Sequence, residues 1–405
     1  MSATTPTTSA QRTHGRWPVF LCWLAVALDG FDLVVLGAVI PVLDKNKALG
    51  FDAASLTLVA TVGLVGVGIG AVAVGPLTDR FGRRTTLMAC IAAFSVLTLA
   101  IAFAPNVAAF GVLRFLGGLG LGACLPTALA FMTEYAPRGR GGSAVTMMMT
   151  GYHVGAVLTA LLAIVVIPEF GWQAMFVIGG VAGLLTLPLM WIKLPESAAF
   201  LAVERRPDVS ATSKVVRGRY LRIGIGIWVA SFMGLLLVYG LNTWLPKIMG
   251  QAGYSLGASL GLLLTLNLGA VTGLLVAGRV SDARGNKPTV LVWFGVAAVF
   301  LALLSIRMQT QVLVYAAVFL AGVFVFSAQV LVYAFVGHLY PSEVRGTALG
   351  LAAGVGRIGA IIGPFLGGAL VSAGLAYPWG FYAFAFAAVL AVLALLTVPA
   401  HGHTA

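Results

Sequence analysis

The chain has 405 residues, of which 60% are apolar and only 9% are Asp, Glu, Lys or Arg, with a net charge of +12. A soluble domain carries about 25% charged residues, so these few charges cannot cover a surface that faces water. With a mean hydropathy of +1.02, the composition excludes a soluble enzyme, a nucleic-acid-binding domain and a disordered chain.

Residues 1–17 read as a cytoplasmic tail rich in Ser and Thr, with Arg12 and Arg16. The apolar stretch that follows holds Asp29 and Asp32 and no clear cleavage site, so a signal peptide is not expected. Apolar runs then recur at about 18–43, 54–77, 85–104, 107–132, 143–167 and 172–194, which together make a first six-helix unit over 18–194. Each is long enough to cross an apolar core of about 30 Å as a helix. Residues 195–220 form the only long polar stretch, a linker. A second unit spans 221–398, with runs at about 221–246, 256–280, 289–306, 311–337, 346–373 and 377–398, and 399–405 is a second tail. The expected fold is an all-α membrane protein of twelve transmembrane helices in two six-helix bundles. Cys22, Cys90 and Cys124 sit inside apolar runs and read as packing residues, since no Cys/Cys or Cys/His spacing suits a disulfide framework or a metal. Gly117 to Gly122 lies inside span 4 and serves helix packing, not phosphate binding. No Walker A sequence, metal motif or cofactor motif is present.

Eighteen of the 24 Lys and Arg residues lie in the first tail or near connections that follow even-numbered spans. Only Lys45, Lys47, Lys247 and Arg307 follow odd-numbered ones. By the positive-inside rule both termini are cytoplasmic. Arg114 and Arg357 remain, each within a span, which makes both functional candidates. The chain also repeats itself. Gly75-Pro-Leu-Thr-Asp-Arg-Phe-Gly-Arg-Arg84 joins spans 2 and 3, and Gly278-Arg-Val-Ser-Asp-Ala-Arg-Gly-Asn-Lys287 joins spans 8 and 9. Their acids, Asp79 and Asp282, are 203 residues apart, half the chain. Parallel repeats of this kind place a substrate site between the halves, near the midplane.

The first of these loops resembles the signature of the major facilitator superfamily, G-x-L-A-D-R-x-G-R-R, with Thr78 in place of alanine, and the second resembles its weaker copy. Asp29-Gly-Phe-Asp32, Trp244-Leu-Pro246, Arg345-Gly-Thr347, Gly356-Arg-Ile-Gly359 and Gly363-Pro364 resemble the aromatic acid:proton symporters, importers of benzoate and hydroxybenzoates in particular. The resemblance implies two pseudo-symmetric bundles in the cell membrane and import of a small aromatic carboxylate with protons by alternating access. It implies no enzyme activity, no cofactor and no nucleic-acid partner. A monomer is the default, because one chain holds both halves. An exporter of amphipathic compounds, an importer of other organic anions and a transport-dead sensor are the alternatives. The first is disfavoured because span 5 lacks the Gly-Pro…Gly-Gly pattern of antiporters, and the last because no signalling domain is attached.

Asp29 and Asp32 share one face of span 1, at mid-depth, where a carboxylate is expensive unless paired or protonated. They are the expected proton-coupling pair; two acids that only fix helix packing are the plainer alternative. Arg357, also at mid-depth, is the expected clamp for a substrate carboxylate, since a guanidinium stays charged and binds carboxylates bidentately. A permanent salt bridge to Asp29 or Asp32 is its alternative. Arg114 suits a substrate anion or a pair with Asp32 equally. Phe31, Tyr152, Tyr239, Asn242, Asn267, Gln329 and Tyr333 complete the expected binding set, with Phe324 and Phe326 as further aromatics. Trp244 falls where an interfacial aromatic belt is expected. Asp79, Arg83, Arg84, Glu134, Asp282 and Arg345 are expected to gate the cytoplasmic ends, with Glu134 pairing with Arg83, Arg84 or Arg140. His153 in span 5 and His338 at the end of span 10 read as proton relays or as satisfied interfacial histidines.

Overall fold

The structure, a computed structural model, describes residues 17–135, 141–196, 215–308, 310–340 and 342–400. Among these the regular elements are helices. The first six are α1 (Trp17–Lys45), α2 (Ala53–Phe81), α3 (Arg83–Ile101), α4 (Val107–Tyr135), α5 (Gly141–Phe170) and α6 (Gln173–Lys193). The second six are α7 (Gly218–Gln251), α8 (Leu256–Arg284), α9 (Asn286–Leu303), α10 (Gln311–Leu339), α11 (Ser342–Ser372) and α12 (Trp379–Leu396). All twelve contain stretches long and apolar enough to cross a membrane. Several outrun the apolar runs that reveal them. The backbone hydrogen-bond ladder continues through polar residues at the membrane surface, so α2 and α8 absorb much of the two repeated loops. Where the chain re-enters the bilayer, short polar side chains start the helices. Asp52 accepts from the Ser55 N–H at 2.8 Å, Asn106 from the Ala109 N–H at 2.9 Å, and Ser255 from the Ala258 N–H at 3.3 Å. Asp52 is held below the ordinary carboxylate range by hydrogen bonds from the Ser55 hydroxyl and N–H.

The two halves pack alike. In the first, α2 lies on α4, α1 on α5, and α3 on α4 and α6; in the second, α8 lies on α10, α7 on α11, and α9 on α10 and α12. The likeness reaches single residues at the 203-residue offset. Gly82 and Gly285 adopt φ/ψ of 85°/157° and 87°/153° before α3 and α9, in a region side chains avoid. Thr86 and Thr289 then donate to the Gly82 and Gly285 carbonyls, each at 2.7 Å. Gly66 and Gly70 let α2 touch the Phe115 and Leu119 carbonyls of α4, as Gly269 and Gly273 let α8 touch those of Phe319 and Val323 on α10. Small residues four apart are how helices approach in lipid, where no hydrophobic effect drives them together. Gly118 and Gly122 supply the reciprocal contacts from α4.

Between the halves, α1 meets α7, α2 meets α11 and α5 meets α8. Leu185 and Ile192 on α6, Val299 on α9 and Phe386 on α12 are exposed, as lipid-facing side chains are. Cys22, Cys90 and Cys124 are all buried. At the end of the molecule where α1 finishes, called distal below, Lys247 of α7 forms an ion pair with Asp44 of α1, and Lys47 adds a second at 3.3 Å. Asp44 and Lys247 are again 203 residues apart. A parallel two-fold repeat brings equivalent positions face to face near its axis, and here they carry opposite charges. Close by, Thr57 of α2 presses on Gly368 of α11.

The ion pair is partly exposed, so it is worth about 0.2–1 kcal/mol. Lys247→Ala is therefore expected to raise the population with an open distal seam, up to about fivefold. A cysteine at Thr57, labelled with a maleimide in detergent, reads this as faster labelling. An unchanged rate would mean that the pair does not hold the seam.

Candidate functional site

The chemistry concentrates where α1 passes between the halves. It is apolar all round, as a central helix must be, and its middle is buried throughout from Ala25 to Ile40. Backbone contact fixes its neighbours. Gly151 and Gly155 press α5 onto the Trp23 and Ala27 carbonyls, and Gly30 presses back on that of Tyr152. Gly37 does the same to the Asn242 carbonyl of α7 in the other half. On α11, Gly359 and Gly363 lie on the Phe232 and Leu236 carbonyls of α7, and Gly356 lies on Ser231. Tyr152 is thereby brought beside Asp29, and Arg357 beside Tyr239.

The two acids of α1 have different surroundings. The Asp32 carboxylate accepts from Arg114 Nη1 of α4 at 2.9 Å and from Thr98 Oγ1 of α3 at 2.6 Å. Arg114 also donates to the Asp32 carbonyl at 3.3 Å. Of the two readings of Arg114, the pair with Asp32 is the one formed. Asp29 is only 3% exposed, yet it has no hydrogen bond and no ion pair among the described residues. Arg357 is an opposing charge within electrostatic range. They do not form a salt bridge: the Arg357 guanidinium donates instead to the Tyr239 hydroxyl at 3.0 Å, with Tyr333 also in electrostatic range. A buried acid from one half and a half-buried guanidinium from the other thus stand apart across the seam, among the phenols of Tyr152, Tyr239 and Tyr333.

Other expected binding residues divide. Asn267 Nδ2 donates to Asn242 Oδ1 and to the Leu263 carbonyl, both at 3.0 Å, and its own Oδ1 is buried without a partner. Gln329 Nε2 donates to Ser231 at 3.3 Å, and its Oε1 is likewise unpartnered. Phe31 is not brought to the seam. Its ring lies over Gly179 of α6, because it stands about 200° around the helix from Asp29. Phe324 stacks on Phe300 within the second half. Trp244 is no belt residue: it is fully buried and donates to the Pro364 carbonyl at 2.7 Å, joining α7 to α11. His153 is not a satisfied histidine. It is 4% exposed, with Nδ1 buried and unpartnered. Neither Asp44 nor Lys247 was expected to matter; the repeat offset was the signal that could have found them.

At the end that carries the two repeated loops, Arg84 donates to the Trp191 carbonyl at 2.5 Å, and its N–H donates to Glu196 at 2.9 Å. Its repeat mate Lys287 donates to the Leu396 carbonyl at 3.3 Å and to that of Val398. Both cations therefore cover the closing carbonyls of a sixth helix, where the helix dipole favours them. His338 lies at 2.8 Å from Asn286. Asp282 is exposed. The side chains of Asp79, Glu134, Arg345 and Arg140 lie outside the described residues. Among those described, no group of His, Cys, Asp and Glu is placed to hold a metal.

Removing one partner of a buried ion pair leaves an uncompensated charge, at a cost of about 3–5 kcal/mol. Arg114→Ala is expected to lower the melting temperature in detergent sharply. Arg114→Ala with Asp32→Asn should recover part of the loss. A double variant no more stable than Arg114→Ala would show that the pair is not what Arg114 contributes.

Comparison with known proteins shows the family and the fold. The profile of the Major Facilitator Superfamily matches residues 22–271 and 257–405. The chain is 38% identical to the gentisate transporter of Corynebacterium glutamicum, over 93% of this chain and 86% of that one. It is 34% identical to the gallate transporter of Pseudomonas putida, over 95% and 91%, and 31% identical to the benzoate transport protein of Acinetobacter baylyi, over 94% and 88%. Among solved structures, a D-xylose-proton symporter superposes with a TM-score of 0.79 at 18% identity, over 94% of this chain and 97% of that one, a likeness of fold. The chain is a multi-pass membrane protein of the Major Facilitator Superfamily and belongs with its aromatic-acid transporters.

Proposed function

We propose that the protein imports an aromatic carboxylate together with protons, by alternating access between its two bundles. The observation that carries the proposal is the separated charge pair. A guanidinium that already donates to Tyr239 has further donors for a carboxylate, and the phenols around it suit the faces and edges of a benzene ring. Asp29 is a buried acid with no cation in contact. It can take a proton before the substrate carboxylate arrives and release it when the site faces the other side. Asp32, neutralised by Arg114, is the less available of the two. The relatives named for gentisate, gallate and benzoate support the substrate class. The distribution of Lys and Arg supports cytoplasmic termini, which makes the Asp44–Lys247 pair extracellular. Asp79, Arg83, Arg84, Glu134, Asp282 and Arg345 would then control the cytoplasmic ends.

Uptake of labelled aromatic acids into proteoliposomes, with and without an inward proton gradient, tests the proposal; accumulation that ignores the gradient would refute the coupling. Asp29→Asn should abolish gradient-driven accumulation and keep substrate counterflow, which needs no net proton movement. Arg357→Lys retains charge but loses the planar fork. A charge-assisted hydrogen bond is worth about 1.5–3 kcal/mol, so benzoate binding should weaken roughly ten- to over a hundredfold. Benzamide should bind poorly even to the unaltered protein. Unchanged benzoate affinity in Arg357→Ala would place the clamp elsewhere.

A further inference from the structure

We infer that His153 reads a ring hydroxyl of the transported acid, and so selects hydroxylated aromatic acids over unsubstituted ones. The inference rests on the aromatic-acid reading above. His153 is almost wholly enclosed, and it makes no hydrogen bond to any described residue, with Nδ1 buried and bare. A packing role is better served by Phe, which leaves no polar atom unsatisfied. Its surroundings are aromatic on two sides. Tyr152, the preceding residue, meets the imidazole edge-on at 5.2 Å and 83°, and Phe326 of α10 does so at 5.3 Å and 83°.

Two features tie the imidazole to the transport path. The imidazole packs on the ring of Tyr152, and Tyr152 is in electrostatic range of both Asp29 and Arg357. Phe326 belongs to the other half, so the contact that covers His153 crosses the seam and opens when the bundles part. The ligand chemistry follows from what the imidazole offers. A neutral imidazole has one donor and one acceptor nitrogen, and a phenolic hydroxyl, itself donor and acceptor, complements either. The substrate carboxylate is committed to Arg357, so the ring substituent is the polar group left to meet His153. A site with an otherwise unpaired polar group discriminates strongly against an analogue that lacks the matching hydroxyl.

The test is equilibrium binding to the full-length protein in detergent, using benzoate, the three monohydroxybenzoates and the three methoxybenzoates. At least one hydroxybenzoate is expected to bind about tenfold tighter than benzoate, the discrimination expected of one neutral hydrogen bond. The matching methoxybenzoate should lose that gain, which needs no altered protein. His153→Phe should erase the preference and leave benzoate affinity within about twofold. His153→Asn, whose amide reaches the position of Nδ1, should keep part of it. The inference is overturned if the preference survives in His153→Phe, if benzoate and hydroxybenzoate weaken by the same factor, or if the unaltered protein binds all these acids without preference. An unaltered protein that binds none of them overturns the aromatic-acid reading and this one with it.

Discussion

The ion pair between Asp32 and Arg114 is the interaction on which the rest of the site depends. Two carboxylates three residues apart in an apolar helix repel each other, and in a bilayer each is expensive. Arg114 and Thr98 satisfy one of them from α4 and α3, inside the first half. The other, Asp29, is left as the buried acid that faces the second half. Without that asymmetry α1 would carry two competing acids, and the charge opposite Arg357 would have no defined place.

Glycine supplies the second constraint. Helices in lipid gain little from burying apolar surface against one another, so close approach must come from shape. Gly151 and Gly155 flank Tyr152 and His153, and Gly356 and Gly359 flank Arg357. The candidate side chains thus stand on close, glycine-mediated helix contacts, α5 on α1 and α11 on α7. Rigid contacts within each half and sparser ones between halves suit bundles that move as units. At the distal end Asp44 and Lys247 join equivalent positions of the repeat; at the other, among the described residues, Arg84 and Lys287 each bond a helix of their own half.

Much of this was readable beforehand. Hydropathy alone locates twelve helices, because a span of lipid admits no alternative backbone. The repeated loops disclose the internal symmetry, and the Asp29-Gly-Phe-Asp32 and Gly356-Arg-Ile-Gly359 strings point to the family. What misled was reading side chains one at a time. Trp244 looks like a belt residue by depth, yet it is buried because Pro364 offers a carbonyl across the helix interface. Phe31 looks like a pore residue by its neighbours, yet its angle on the helix turns it to Gly179.

Composition, hydropathy and the repeated loops determined the membrane, the helices, the two-fold repeat and the chemical types available at mid-depth. These follow from local properties: transfer energy per residue, helix length against bilayer thickness, and glycine where backbones meet. Only the tertiary structure decided the partners. Which of two acids on one helix face is neutralised, whether Arg357 pairs with an acid or with a phenol, and whether a histidine is satisfied all depend on atoms brought together from helices far apart in the chain. Hydrogen bonds and ion pairs act over about 3 Å, and a sequence does not specify contacts at that range. The Asp44–Lys247 pair marks the boundary between the two: the repeat offset places both residues, and only the packed seam brings their charges into contact.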